Sequence, residues 1–308
     1  MPERADKTQA YRILRTQECK IIDRYRVTDG DKFRLKDRDP ADTAGHQSDK
    51  PLARALLEGG VQRLSEQQEK LYAQDRWAML GCFQAMDAAG KDGTIKHVMS
   101  GVNPQGVQVT SFTVPGPEDL AHDFLWRIVR ALPARGRIGI FNRSHYEEVL
   151  AVRVHPALLA KQRLPASLIG KRIWAERFEA IAAFERHLAR QGWVIQKFFL
   201  HISKEEQKRR FLSRLEEPEK NWKFSASDLA DRGCWDDYMA AYEQAIAVTA
   251  APHAPWFVVP ADNKWFTRLV VVAAMNEALD KLDLKFPKVD KEARGALDTA
   301  RAQLESER

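Results

Sequence analysis

The sequence predicts a three-layer α/β fold, a parallel sheet with helices on both faces. Two observations carry this. Short apolar runs of strand length alternate along the chain with longer stretches of helical periodicity. One of those runs, "RWAMLGCFQAM", leads directly into a Gly/Ala turn and a helix, the arrangement that offers backbone N–H groups to an anion. With 308 residues, 44% of them hydrophobic, the chain can bury the core such a fold needs.

Taken in order, residues 1–50 are polar, and "DGDKFRLKDRDPADTAGHQSDK" has no apolar period. An extended arm lying on the core or on a partner subunit is expected there. From about Leu52 the recurrence of Leu56, Leu57, Leu64, Leu71 and Tyr72 marks a helix. The apolar run around Met79 is a buried strand, and "TIKHVMSG" a helix closed by Gly101. "GVQVTSFTV" then reads as a strand, "PEDLAHDFLWRIVRAL" as a helix and "RIGIFN" as a strand. A helix from Leu168 to Arg190 precedes the strand "GWVIQKFFLHIS". Helices at Glu205–Glu216 and Trp235–Thr249, the strand "PWFVVPAD" and a closing helix at Trp265–Leu282 complete the domain, residues 51–284. Residues 285–308 read as a charged, loosely docked tail. No internal repeat and no linker divides the chain.

Composition narrows the function. No apolar run approaches the ~18 residues of a membrane span. The start, "MPERADKTQAYRILR", lacks the apolar stretch of a secretory signal. Three distant cysteines (Cys19, Cys82 and Cys234) lack metal-ligand spacing and suit a reducing cytoplasm. A net charge of +6 favours anionic partners without choosing among them. Without a helix-turn-helix, zinc-finger or RNA-binding-sheet signature, nucleic acid is not expected to be one.

Three stretches carry chemistry. The first is "AMDAAGKDGT", Ala85 to Thr94, set against the phosphate-loop pattern G-x-x-x-x-G-K-[ST]. Gly90 and Lys91 match; Ala85 replaces the first glycine, and Asp92 the hydroxyl residue that normally holds Mg²⁺. Ala88, Ala89, Gly90 and Gly93 are small enough for amides to close around phosphate oxygens, with Asp92 and Thr94 in the helical turn that follows. Lys91 would reach the transferred phosphate. A carboxylate beside polyphosphate needs a cation between them, so Asp87 is the expected metal ligand. Asp87 as a turn-stabilising residue, and Asp92 as an early-helix acid, are the plainer alternatives.

The second stretch is "RIGIFNRSHYEEVL". Its strand ends in Asn142, where phosphoryl-transfer folds place an acid. Glu147, five residues on, could return to the site through a helical turn, and Arg143 could bind phosphate bidentately. Asn142 or Ser144 could equally be a helix cap. The third is "KEEQKRRFLSRLEEPEKNWKFSASDLADRGCWDDY". Phe211, Leu212 and Leu215 mark the expected buried face of a helix, with Arg210 and Arg214 one turn apart beside it. Pro218 stops that helix, and Lys220 and Lys223 follow in a segment, about 217–235, expected to act as a lid. A solvated charge run is the alternative.

Together these stretches resemble the second polyphosphate kinase family. "MDAAGKDGTIKHVMSGVNPQG", "FNRSHYEEVLAVRVHP" and "EEPEKNWKFSASDLADRGCWDDY" look like its two Walker segments and its lid, and "APWFVVPADNKWFTRL" like its last strand and closing helix. The likeness runs in order from about Lys50 to Leu284. It implies a P-loop kinase-like fold with a helical lid, and reversible transfer of the terminal phosphate of inorganic polyphosphate to nucleotides. Mg²⁺ would be the cofactor, with Mn²⁺ a substitute. The form F-N-R-S-x-Y-E-E, rather than F-D-R-S-W-Y, is similar to class III members, which convert AMP to ADP and ADP to ATP. Guanine nucleotides are further acceptors to test, and a homo-oligomer, dimer or tetramer, is the implied assembly. By family pattern Asp87, Lys91, Asn142 and Arg143 are active-site positions, joined by Arg210, Arg214 and Lys223 from the lid. An ATP-using nucleoside monophosphate kinase shares the fold and is the rival expectation.

Overall fold

The computed structural model describes residues 20–46 and 50–307. Six strands form one sheet: β1 (Arg26–Val27), β2 (Ala78–Ala85), β3 (Val107–Ser111), β4 (Ile138–Asn142), β5 (Trp193–His201) and β6 (Trp256–Pro260). Their order across the sheet is β1-β6-β5-β2-β4-β3. β1 lies antiparallel on β6, and the other neighbours pair in parallel. Parallel strands covered on both faces read as continuous apolar runs, which is why β2, β4 and β6 are legible as blocks rather than alternations.

The two faces are packed separately. Met79, Phe83, Ile138 and Ile140 join a core with helix α1 (Lys50–Gln74) and with the almost wholly buried helix α7 (Lys264–Asp280). Asn276 ties those helices together by donating to the Gly60 carbonyl at 2.9 Å. Leu80, Cys82, Phe141 and Ile195 face the other way, against Leu188 and Phe184 of helix α3 (Ile173–Arg190). Helix α2 (Lys91–Val98) follows β2; α4 (Lys204–Glu216), α5 (Ala226–Gly233) and α6 (Trp235–Thr249) lie between β5 and β6.

Three expectations are corrected. Of the polar arm, residues 1–19 and 47–49 lie outside the described residues, as does Cys19. The rest is not an extended arm: Ile21, Ile22, Tyr25, Val27, Phe33 and Leu35 are core residues. Gly30 explains how closely it sits, because a Cβ there would meet the Ala247 carbonyl oxygen at 1.9 Å. The helix expected over "PEDLAHDFLWRIVRAL" is broken into a 3-10 turn, Asp119–Ala121, and a short helix, Trp126–Arg130. The break falls where the Asp123 carboxylate accepts the Leu125 N–H at 2.9 Å, satisfying locally what a helix would have bonded. α3 begins at Ile173, after Gly170, rather than at Leu168. Within the charged tail, helix α8 (Lys291–Ser306) has no buried residue.

His201, at the end of β5, is 8% exposed, and burial pushes its imidazole down from 6.5 to about 4, against the opposing pull of Asp39 and a backbone bond to Arg38. The unfolded chain therefore takes up a proton that the folded chain refuses, so stability falls as pH drops from 6.5 towards 4. At pH 5 the loss from this one group should be about 2 kcal/mol. Urea unfolding of wild type and His201→Gln at pH 7 and 5 checks it. The variant should lose less stability on acidification; equal losses would mean that another group is responsible.

Candidate active site

Ala85 ends β2, and the chain turns through residues 86–90 into α2. The Ala89 N–H closes the turn on the Met86 carbonyl at 3.2 Å. Ala88 takes φ +62° and Gly90 +99°, the left-handed conformation, for which glycine carries no Cβ penalty. Gly90 is the N-cap of α2, and Lys91 its first residue. Left-handed residues alternating with right-handed ones turn amides into a concavity suited to an anion, with the helix dipole behind it. Asp92 and Gly93 are exposed on the first turn, and Thr94 is buried beneath it.

Register brings β4 to the same place. Phe83 stands opposite Asn142, so β4 ends alongside the loop. The Asn142 amide donates to Asp92 at 2.9 Å and to the Ser111 hydroxyl at 3.3 Å. Arg143 follows with φ +63°, its N–H donating to the Phe83 carbonyl at 3.0 Å. Ser144 then caps the 3-10 turn His145–Glu148, which returns Glu147 as expected. Arg143 reaches Asp87 at 3.3 Å and Glu147 at 3.7 Å. Glu147 first, then Asp87, hold its guanidinium above the ordinary arginine range against the cost of burial. Desolvation, then Arg143, push the Lys91 ammonium below the usual lysine value, opposed by Glu147, Asp87 and Asp92. Asp87, Lys91, Asp92, Asn142, Arg143 and Glu147, far apart in sequence, thus meet in one place.

The third stretch divides. Phe211 is buried, but Leu212 and Leu215 are 48% and 51% exposed, so the apolar face is narrower than expected. Arg214 faces α5, 3.7 Å from Asp228, and lies over the Phe211 ring at 5.6 Å. Burial, then the charge of Asp87, raise the Asp228 carboxyl. Arg210 does not face solvent; it is 6% exposed and donates to the loop carbonyls of Ala88 and Ala89. The side chains of Lys220 and Lys223 lie outside what the structure describes.

Several functional neighbours were missed in the sequence. Gln84 is fully buried beneath the turn. With its amide oriented by the hydrogen-bond pattern, it donates to Glu147 at 2.8 Å and accepts from Ser144. A polar residue inside an apolar strand was the signal. Nothing local marked the cavity of about 510 Å³ that opens beside Ser144 and Glu147, between residues 115–128 and α3. Phe124, Ile128 and Leu164 supply apolar wall, and Arg177 and Glu148 charge. Arg177 pairs with Glu148, donates to Gln162 at 2.7 Å and covers the Phe124 ring at 4.9 Å. Burial lifts the Glu148 carboxyl, and Arg177 restrains it.

Beneath the turn lies a buried ionic network. Lys197 of β5 uses three donors, on Glu185 at 2.6 Å, the Thr249 carbonyl at 2.8 Å and the Tyr146 hydroxyl at 3.0 Å. Glu185 also accepts from the Tyr146 hydroxyl at 2.8 Å and contacts His145 at 3.2 Å. His145 and Tyr146 lie between Arg143 and Glu147 in the chain, so this network seats the turn from below.

Residues 47–287 match the family model described as Polyphosphate kinase 2. The chain belongs to the polyphosphate kinase 2 family. Its span agrees with the resemblance seen in sequence. It is 50% identical over 281 residues to an ADP-polyphosphate phosphotransferase of Rhodopseudomonas palustris, covering 91% of this chain and 97% of the relative. An AMP/ADP-polyphosphate phosphotransferase of Meiothermus ruber is 46% identical over 86% of this chain and 95% of its own. The crystal structure of a family member, polyphosphate kinase 2 from Arthrobacter aurescens, superposes with a TM-score of 0.80 at 43% identity, covering 90% of this chain and 95% of that one.

The buried network generates a stability prediction. Lys197→Met leaves Glu185 without its cation and should cost about 3–5 kcal/mol in urea unfolding. The double variant Lys197→Met, Glu185→Gln should recover part of that loss. A single variant as stable as wild type would remove the network from the fold's support.

Proposed function

We propose that the chain moves the terminal phosphate of inorganic polyphosphate onto AMP, giving ADP, and onto ADP, giving ATP, in a reversible reaction. The observation that carries this is the convergence of Asp87, Lys91, Arg143 and Glu147 at an anion-receptive loop, beside a cavity of about 510 Å³ that shares Glu147. The loop suits phosphates; the cavity, whose lining sets the apolar Phe124, Ile128 and Leu164 among polar and charged side chains, has room for a nucleoside. The names of the Rhodopseudomonas and Meiothermus relatives support polyphosphate with ADP, and with AMP and ADP. Guanine nucleotides are proposed as further acceptors, since a relative from Pseudomonas aeruginosa is called a GDP-polyphosphate phosphotransferase.

The transfer needs no covalent intermediate. An oxygen of the acceptor's last phosphate attacks the terminal phosphorus of the chain, and the bond to the next bridging oxygen breaks. Catalysis then rests on alignment and charge neutralisation. Loop amides would hold the phosphoryl group, Lys91 would stay with it in flight, and Arg143 would clamp an adjoining phosphate. Asn142 keeps Asp92 turned aside through its hydrogen bond. Asp87, 22% exposed and held by Arg143 at 3.3 Å, is free enough to serve a cation as well. Among the described residues no cluster of three acids, histidines or cysteines surrounds it. An ion there would complete its shell with phosphate oxygens and water, which is how Mg²⁺ binds, and Mn²⁺ can substitute. Bound Mg²⁺ would neutralise charge between the two phosphate chains.

The segment from about 217 to 235, carrying Lys220 and Lys223, is proposed to close over the joined phosphates with Arg214. Among the described residues no helix is long and apolar enough to cross a membrane. A cytoplasmic homo-oligomer, dimer or tetramer, is the setting we propose.

Offering AMP, polyphosphate and Mg²⁺ without ATP tests the reaction. ADP should appear first and ATP after a lag. Phosphorylation of ADP but never of AMP would refute the class III assignment, and activity only with ATP as donor would favour the monophosphate-kinase rival. Separately, Lys91→Ala should lower turnover by roughly 10³-fold, the scale of removing a preorganised charge from a transferring group. Its melting temperature should barely move, and a mutant keeping a tenth of wild-type turnover would take Lys91 off the reaction centre.

A further inference from the structure

Arg210 was expected to touch phosphate, but every donor of its guanidinium is already engaged. Nε donates to Glu206 at 2.7 Å. Nη1 donates to the carbonyls of Ala88 at 3.1 Å and Ala89 at 2.8 Å. Nη2 donates to those of Ala261 at 2.6 Å and Asp262 at 3.1 Å, just past the end of β6. An arginine has five N–H bonds, and these five acceptors exhaust them. One turn earlier on the same helix, the Gln207 amide donates to the Asp87 carbonyl at 2.9 Å. Three consecutive loop carbonyls are therefore tied to α4.

The consequence follows from the peptide bond. In a trans peptide the carbonyl of one residue and the N–H of the next point in opposite directions, and the described residues contain no cis peptide. Drawing the carbonyls of residues 87, 88 and 89 towards α4 turns the N–H groups of residues 88, 89 and 90 away from it. The Ala89 N–H is spent on Met86; those of Ala88 and Gly90 are directed to the opposite side of the loop. This is also where Ala88 accepts a left-handed φ of +62° without being glycine, a conformation that the two bonds from Arg210 and Gln207 on either side of it hold in place. Gly90 lies against the same guanidinium: a Cβ there would stand 3.4 Å from Nη1.

We propose that Arg210, assisted by Gln207, is a positioning residue. It fixes the direction of the loop amides and never contacts phosphate. It also couples two parts of the site, because α4 carries Arg214 one turn further on, so the loop and the lid's arginine are held by a single rigid helix. The proposal rests on reading residues 86–94 as the phosphate cradle.

The test is steady-state kinetics with polyphosphate as the varied substrate, on Arg210→Lys, Gln207→Leu, Arg210→Ala and Lys91→Ala. Lysine keeps the charge, but its three donors on one atom cannot span the two carbonyl pairs and Glu206. Arg210→Lys should lower kcat by about 10²-fold, the scale of a misplaced reacting group, with KM for polyphosphate changed by less than about threefold. Gln207→Leu should show the same kcat-only loss, several-fold in size, and it carries the test if Arg210→Lys does not fold. Guanidinium ion at millimolar concentration should restore part of the kcat of Arg210→Ala by refilling the vacated position. A raised KM at unchanged kcat would overturn the proposal, because Arg210 would then be holding the polyphosphate itself. Unchanged kcat in Arg210→Lys and Gln207→Leu beside an inactive Lys91→Ala would overturn it as well, leaving the cradle reading intact. Normal turnover in Lys91→Ala would bring down the cradle reading and, with it, this one.

Discussion

Parallel register is the constraint on which the site depends. β2 is hydrogen-bonded to β4 on one side and β5 on the other, and all three run the same way. Their carboxyl ends therefore lie on one edge of the sheet, where the chain leaves β2 for one flank and returns to the other. Ligands of open α/β sheets collect at such a switch point. Pairing of Phe83 with Asn142 and of Ala85 with Leu200 fixes how far each strand reaches. A slip of one residue would exchange core and opposite face along the whole strand, since Met79 and Phe83 pack on one side and Leu80 and Cys82 on the other.

At that edge the protein assembles charge before any substrate arrives. Arg143 lies between Asp87 and Glu147, and each carboxylate offsets some of the cost of bringing the guanidinium out of water. Lys91 has no such close partner among the described hydrogen bonds and ion pairs, and desolvation, then the charge of Arg143, depress its ammonium. The buried network of Lys197, Glu185 and Tyr146 plays a different part. It is fully buried, and it holds the turn that carries Glu147 towards Arg143 and the loop.

Much of the site was legible in the sequence because local backbone demands leave local marks. A small-residue turn between an apolar run and a helix marks where backbone amides can open towards an anion. Glu147 could be foreseen because one short turn after a strand end brings it back. Arg210 shows the limit. Beside Arg214 in sequence it looked like a second phosphate ligand, and helical spacing gave no reason to separate them. Only the approach of the loop and of the end of β6 to one side of α4 makes Arg210 an internal tie and leaves Arg214 with Asp228. The exposed Leu212 and Leu215 make the same point, since periodicity says which residues share a face but not how wide a face the neighbours cover.

By itself the sequence determined the α/β class, the strands and most helices, the loop and the family, because hydrophobic period, turn chemistry and motif spacing are properties of contiguous residues. It could not determine that the polar arm is built into the core, that the stretch before Trp126 breaks, or that this break forms one wall of a cavity ending at Glu147. Those depend on which surfaces meet across long separations in the chain. An arginine has the same side chain whether it meets phosphate or carbonyls. What decides its role is the set of acceptors within hydrogen-bond reach, and for Arg210 two pairs of those come from residues more than fifty positions away.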